Sequence, residues 1–112
     1  MNNKLIKQAK YYFKYFQSRD LKNLSNIFSN TIYFEDWDNK IKGKEKNLKF
    51  LKKIFSKNSF GIKVQNFFVH KDKEIISCQI LIKLKNKKKI KVIDIISFNK
   101  SLKITKIEAY KC

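Results

Sequence analysis

The chain has no proline, two glycines, two cysteines and one histidine among its 112 residues. Each shortage removes a class of function. Two isolated glycines cannot build a glycine-rich phosphate-binding loop. The single histidine, His70, falls at the end of an expected strand beside Lys71, a surface setting. That argues against a histidine-based metal site and against a Ser-His triad. Cys78 lies in an expected strand and Cys112 is the last residue, with no metal-ligand spacing between them. Both are expected to be free thiols, as in a cytoplasmic protein. No apolar run approaches the ~20 residues needed to span a bilayer. Met1-Asn2-Asn3-Lys4 leads into an amphipathic helix without a signal-peptide pattern. The expectation is a cytoplasmic chain with no membrane partner, no metal and no cofactor.

Acidic residues are also scarce: 9 against 27 basic ones, for a formal net charge of +18. Such a charge invites a nucleic acid or an anionic membrane as partner. Three features argue otherwise. Arg19 is the only arginine, whereas bidentate reading of phosphate or guanine favours arginine. The lysines are spread over every expected element. Lys, Asn, Ile and Phe are abundant together, and these residues share A/T-rich codons, so genomic base bias accounts for the composition. No specific nucleic-acid partner is expected, only solubility and salt-sensitive, non-specific attraction.

What remains is a chain that is 43% hydrophobic, enough for one domain over residues 1–112 with a core of its own. Leu5, Ala9, Tyr12, Phe13 and Phe16 recur at helical spacing over residues 4–17, with Lys7, Lys10 and Lys14 opposite. Ser18-Arg19-Asp20 breaks the pattern, and Asp20 is a good N-cap for a short second helix through Ser29, ended by Asn30. Thr31 to Trp37 alternates as a strand, Asp38-Asn39-Lys40 is a turn, and Gly43 precedes a third helix from about Lys44 to Ser56. Four period-two segments follow: Phe60 to His70, Glu74 to Leu84, Ile90 to Phe98 and roughly Leu102 to Tyr110. The lysine run 85–89 reads as a solvated hairpin tip. Helices first and a strand meander after give an α+β class, with three N-terminal helices packed on a curved, mostly antiparallel sheet.

The most informative stretch is Ile90 to Phe98. Ile90, Val92, Asp94, Ile96 and Phe98 share one strand face, and four of the five are apolar. Asp94 therefore points at a core or at a pocket cut into one. An ionised carboxylate there is costly unless paired, hydrogen-bonded or protonated. It is either a structural oddity or a working group. Asp36 repeats the pattern, in line with Ile32 and Phe34.

The order of elements resembles the nuclear transport factor 2-like superfamily, and within it the SnoaL-like and ketosteroid isomerase-like branch. The resemblance runs over the whole chain. It is carried by Tyr12-Phe13-Lys14-Tyr15-Phe16 and Arg19-Asp20-Leu21, Ile27-Phe28, Phe34-Glu35-Asp36, Gly43, Ile93-Asp94, Ser97-Phe98-Asn99, and Ile104-Thr105-Lys106-Ile107 with Tyr110. Two departures stand out. Asn99 to Lys103 replaces the family's usual Asp-Gly-Lys turn, and Trp37 follows Asp36 where such isomerases usually carry proline.

The resemblance implies a cone-shaped, cystatin-like fold and three functional positions. Tyr12 and a protonated Asp94 would donate hydrogen bonds to a substrate oxyanion, and Asp36 would be the general base. Phe16, Phe34, Trp37, Val92 and Ile96 would line the pocket. The residues by themselves leave other readings open. Tyr12 could be a core tyrosine, Asp36 a turn or capping acid with Glu35 as the competing base, and Trp37 with Tyr33 a pocket rim or a dimer contact. The resemblance also implies a homodimer through the outer sheet face, where Ile93 and Ile95 lie opposite Asp94. Three functions follow as expectations. The first is a cofactor-free isomerase moving a proton next to a carbonyl on a small, mostly apolar compound. The second is a non-catalytic binder of such ligands, and the third is a homodimeric interaction module.

Overall fold

The structure is a computed structural model that describes residues 3–57 and 60–112. Met1 and Asn2, read above as the lead-in to the first helix, lie outside the described residues. The elements are α1 (Asn3–Gln17), α2 (Leu21–Ile27), β1 (Phe28–Glu35), β2 (Lys40–Lys42), α3 (Lys44–Lys57), β3 (Phe60–Val69), β4 (Ile75–Leu84), β5 (Lys89–Phe98) and β6 (Ile104–Lys111).

Helix α1 buries Leu5, Ala9, Tyr12 and Phe13 and exposes Lys7, Lys10 and Lys14, as the 3.6-residue period requires. It stops because Arg19 turns left-handed at φ 58°. The Asp20 amide then reaches back to the Tyr15 carbonyl at 2.8 Å and the Arg19 amide to that of Phe16 at 3.1 Å. Asp20 caps α2 as expected, its carboxylate accepting from the Asn23 amide at 3.1 Å.

Helix α2 is shorter than its apolar spacing suggests. It was expected to run through Ser29, but Phe28 is already extended at φ −84° and ψ 139° and pairs with Ile104. A seven-residue helix has little stability of its own, so the pairing of Phe28 with Ile104 on β6 takes over, and the chain continues extended through Asn30. Phe28 stays inward and buried, from a strand rather than a helix. Strand β1 correspondingly ends at Glu35, leaving Asp36 and Trp37 in the turn that follows. Lys40, expected in that turn, begins β2, which pairs antiparallel with β1 through Phe34 and Ile41. Three residues, two of them lysines, are too few to carry a readable alternation.

The sheet order is β2-β1-β6-β5-β4-β3. Every pairing is antiparallel except β1 with β6, which is parallel. Register irregularities at Phe28/Tyr33, Val64/Asn66 and Ser97/Phe98 bend the strands locally. The inner face carries Ile76, Cys78 and Ile80 from β4 and Val92, Asp94, Ile96 and Phe98 from β5, all buried. This matches the alternation read from the sequence. Helix α1 crosses β3 and β4, while α3 lies over β1 and β2, so a space is left between the helices and the inner sheet face. His70 is exposed, as expected, and its Nδ1 accepts from the Asp72 and Lys73 amides.

Gly43 marks the entry to α3. Its φ of +93° is one that L side chains rarely adopt, and its amide donates to the Ile32 carbonyl at 2.8 Å. A Cβ there would meet nothing within 4 Å, so any penalty is backbone strain alone. Gly43→Ala is expected to cost roughly 1 kcal/mol, read as a lower urea midpoint with an unchanged m-value.

Candidate functional site

A cavity of about 310 Å³ fills the space between helices and sheet, at the small end of ligand-sized pockets. Its walls are mostly aromatic and aliphatic. Phe34 and Phe50 pack with ring centroids 5.7 Å apart, and Phe16 sits between Phe55 and Phe60 at 5.2 and 5.5 Å. Ile62, Leu84 and Ile90 line it at the strand ends shared by the start of β3 and the β4–β5 hairpin. Trp37, 45% exposed, lines it beside the turn after β1, with the Lys111 Nζ 5.2 Å from its ring centroid. Despite the charge of the chain, no lysine, arginine or histidine is among the described residues that line the cavity.

Tyr12, Asp36 and Asp94, singled out on three separate elements, all line this one cavity. Phe16, Phe34, Trp37 and Val92 line it as expected. Ile96 does not: it lies two residues beyond Asp94 on the same face, is fully buried, and belongs to the packed core. The cavity therefore ends at Asp94 along β5.

The register makes room for the Asp94 carboxyl. Its partner on β4 is Cys78 and its partner on β6 is Ala109, two small side chains. Asp94 is 7% exposed, and removal from water pushes its pKa up to about 7, with the nearby Asp36 charge adding to the shift. Tyr12 is 4% exposed. Burial, then the Asp94 charge, then Cys78 hold its hydroxyl well above the usual phenol range, so it keeps its proton. Burial and Asp94 likewise push the Cys78 thiol up. Among the described residues, no group hydrogen-bonds to the Asp94 carboxyl or the Tyr12 hydroxyl, and no enclosed side-chain polar atom lacks a partner. Both groups are therefore open to the cavity.

Asp36 is held differently. Its Oδ1 accepts from the Asp38 amide at 2.8 Å, the Asn39 amide at 2.6 Å and Asn39 Nδ2 at 3.1 Å. Its Oδ2 has only Asn39 Nδ2 at 3.3 Å. The turn thus anchors one oxygen and leaves the other nearly unclaimed. The competing acid, Glu35, points to the opposite face, where the Tyr33 hydroxyl donates to its Oε1 at 3.0 Å; it does not line the cavity.

Of the lining residues not singled out from the sequence, one is polar. Asn47 on α3 is 3% exposed, and its Nδ2 donates to the carbonyls of Gly43, Ile41 and Ile32 at 2.8, 3.2 and 3.4 Å. A signal existed, because Asn47, Leu51 and Ile54 fall at helical spacing on one face. A polar residue in line with apolar ones is the same pattern that exposed Asp94.

Two protonated oxygens and a carboxylate around an apolar volume can hold a carbonyl oxygen and move a proton at a neighbouring carbon. Among the described residues, no cluster of three or more His, Cys, Asp or Glu side chains could hold a metal ion. No helix among them is long and apolar enough to cross a membrane.

No protein-family model and no curated protein matches the chain. Solved structures do. A candidate ketosteroid isomerase from Kribbella flavida superposes with a TM-score of 0.88 at 11% identity, covering 99% of this chain and 79% of the other. A Mycobacterium tuberculosis protein in complex with estradiol-17β-hemisuccinate gives 0.81 at 14% identity over 93% and 90% of the two chains. An epoxide hydrolase from Mycobacterium tuberculosis gives 0.84 at 11% identity over 99% and 80%. Further matches are NTF2-like proteins or carry the cystatin-like fold. At these identities the likeness is one of backbone, and by it the chain has the NTF2-like, cystatin-like fold.

Proposed function

We propose that the cavity performs cofactor-free proton transfer next to a carbonyl, in the manner of the ketosteroid isomerase-like branch, on a small and mostly apolar ketone. The observation that carries this reading is the pair of unpartnered oxygens, on Tyr12 and Asp94, open to the same apolar cavity as the Asp36 carboxylate. The Tyr12 hydroxyl and the protonated Asp94 carboxyl donate to the carbonyl oxygen. Asp36 Oδ2 takes a proton from the adjacent carbon, and the C–H electrons move into an enolate whose oxygen charge the two donors hold. The proton then returns from Asp36 to a carbon of the conjugated system, and the carbonyl reforms. No outside oxidant or reductant is consumed. Among the described residues no lysine or arginine lines the cavity, which supports a neutral ligand rather than a phosphate or carboxylate. The steroid portion of the hemisuccinate ester that the mycobacterial protein binds on the same fold supports an apolar body for the ligand.

The experiment is solvent exchange. A panel of cyclic ketones in D2O is followed by NMR for loss of the proton beside the carbonyl, with and without the protein. Accelerated exchange is expected, and Tyr12→Phe should slow it about tenfold or more by removing one donor. Binding without exchange would leave a non-catalytic binder. That second reading draws support from Asp36, whose Oδ1 already serves the turn.

The same reading includes a single domain over residues 1–112 and a homodimer through the outer sheet face. Partly exposed Leu81, Ile93 and Ile95 and exposed Phe68 lie there. Light scattering at micromolar concentration should give twice the chain mass of 13.5 kDa.

A further inference from the structure

We infer that Asn47 selects the ligand. Its side-chain oxygen accepts a hydrogen bond from a hydroxyl or N–H group, so the compound that fills the cavity carries a donor as well as its carbonyl. The donor half of this inference stands on Asn47 alone; the carbonyl half rests on the function proposed above.

The orientation of the Asn47 amide is settled by its surroundings. Three backbone carbonyls, of Gly43, Ile41 and Ile32, converge on one end of it. Carbonyls only accept, so that end is the nitrogen, and its two hydrogens are shared among them. The oxygen, Oδ1, is directed elsewhere, and among the described residues nothing donates to it. No enclosed side-chain polar atom lacks a partner, so Oδ1 is open. Asn47 is 3% exposed and is one of the residues lining the cavity, and that is the side to which we assign the oxygen.

Structure alone does not account for the oxygen. The nitrogen ties the first turn of α3 to β1 and β2, but a buried acceptor with no donor is a liability once water leaves the cavity. A ligand that lacks a donor leaves Oδ1 unpaired, and such sites discriminate against the analogue that cannot bond. The three polar groups above do not duplicate this role. Tyr12 and Asp94 present protons, and Asp36 presents a charged carboxylate in a turn. Asn47 is the neutral acceptor of the set.

The test uses decalone, its isomers carrying a single hydroxyl at each ring position away from the ketone, and the methyl ethers of those isomers. Binding to the full chain is measured by calorimetry, and α-proton exchange by NMR in D2O. At least one hydroxydecalone should bind about tenfold tighter than decalone, and its methyl ether should lose that gain. Asn47→Leu should bring the series to within about threefold while still binding decalone. Asn47→Ser retains a donor for the Gly43 carbonyl, but its hydroxyl oxygen ends one bond nearer the helix than Oδ1 does, out of reach of the ligand's donor, and the variant should do the same. Should Asn47→Leu fail to fold, the serine variant and the wild-type ether comparison carry the test.

A flat series in the wild-type protein, or a hydroxyl preference that survives both substitutions, overturns the role of Asn47. If α-proton exchange on decalone persists in that case, the proton-transfer function stands without it. A preference that depends on Asn47 in a protein showing no exchange upholds the inference for a non-catalytic binder. Absence of binding by every decalone overturns both.

Discussion

Asp36→Asn is expected to slow α-proton exchange by about 10²–10⁴-fold and to leave the fold intact, the range that a positioned general base contributes. The substitution suits this site because asparagine keeps the oxygen that the turn uses. Oδ1 would still accept from the Asp38 and Asn39 amides at 2.8 and 2.6 Å, so the chain reversal into β2 is preserved. What disappears is the second carboxylate oxygen, which the turn barely engages at 3.3 Å. The loss should fall on turnover while ligand affinity stays close to that of the wild type. Unfolding by urea would show a midpoint near that of the parent, which separates lost chemistry from lost structure. An Asp36→Asn protein that exchanges protons at the parental rate removes Asp36 as the base. Glu35 would not replace it, because its carboxylate serves the Tyr33 hydroxyl on the far side of the strand.

Asp94→Asn should raise stability by an amount that depends on pH. In the parent, the folded carboxyl titrates near pH 7, whereas in the unfolded chain it titrates near the ordinary 3.8. Between those values the folded state holds a proton that the unfolded state has released. Stability therefore falls as pH rises through that window, and it levels off above about pH 7. At 1.36 kcal/mol per unit, the window of about three units corresponds to at most about 4 kcal/mol. Asparagine does not ionise, so its stability has no such slope. Asp94→Asn is expected to be about 2–4 kcal/mol more stable than the parent at pH 8.5, with much of that difference gone at pH 4.5. Chemical denaturation of the two proteins at both pH values measures it directly. Equal pH slopes would mean that the carboxyl is not held as described. The groups that face Asp94 are Tyr12 from α1, Cys78 from β4 and Asp36 beyond β1. None is a cation, so the buried charge goes uncompensated.

On the proposed function, the proton that lowers the cost of burial is also the one that would be offered to a substrate oxygen. Parental exchange should weaken as pH rises through about 7, in step with the loss of that proton. A carboxyl that weakens the fold near neutral pH is not accounted for by packing alone, and the proposed function gives it a use.

Much of this site was legible in the chain because a strand has a period of two. Asp94 among Ile90, Val92, Ile96 and Phe98 announces an acid on a buried face without any knowledge of neighbours. Helical spacing did the same for Tyr12. It also places Asn47 in line with Leu51 and Ile54, a weaker sign because a neutral amide costs less to bury than an acid. The end of α2 is not legible in the chain for a different reason. Residues 28–30 suit a helix locally, and only the parallel pairing of Phe28 with Ile104, 76 positions away, makes them a strand.

Periodicity is a local property, so the chain by itself determined which side chains turn inward, where α1 and β5 run, and that an acid would be buried in β5. It could not determine distances between elements. That Asp36 and Asp94 feel one another, that Cys78 and Ala109 leave space beside the carboxyl, and that the cavity stops before Ile96 were decided by sheet register. Register brings together strands far apart in sequence. Hydrophobic burial and hydrogen-bond pairing settle it over the whole molecule at once, and no short window of residues contains that information.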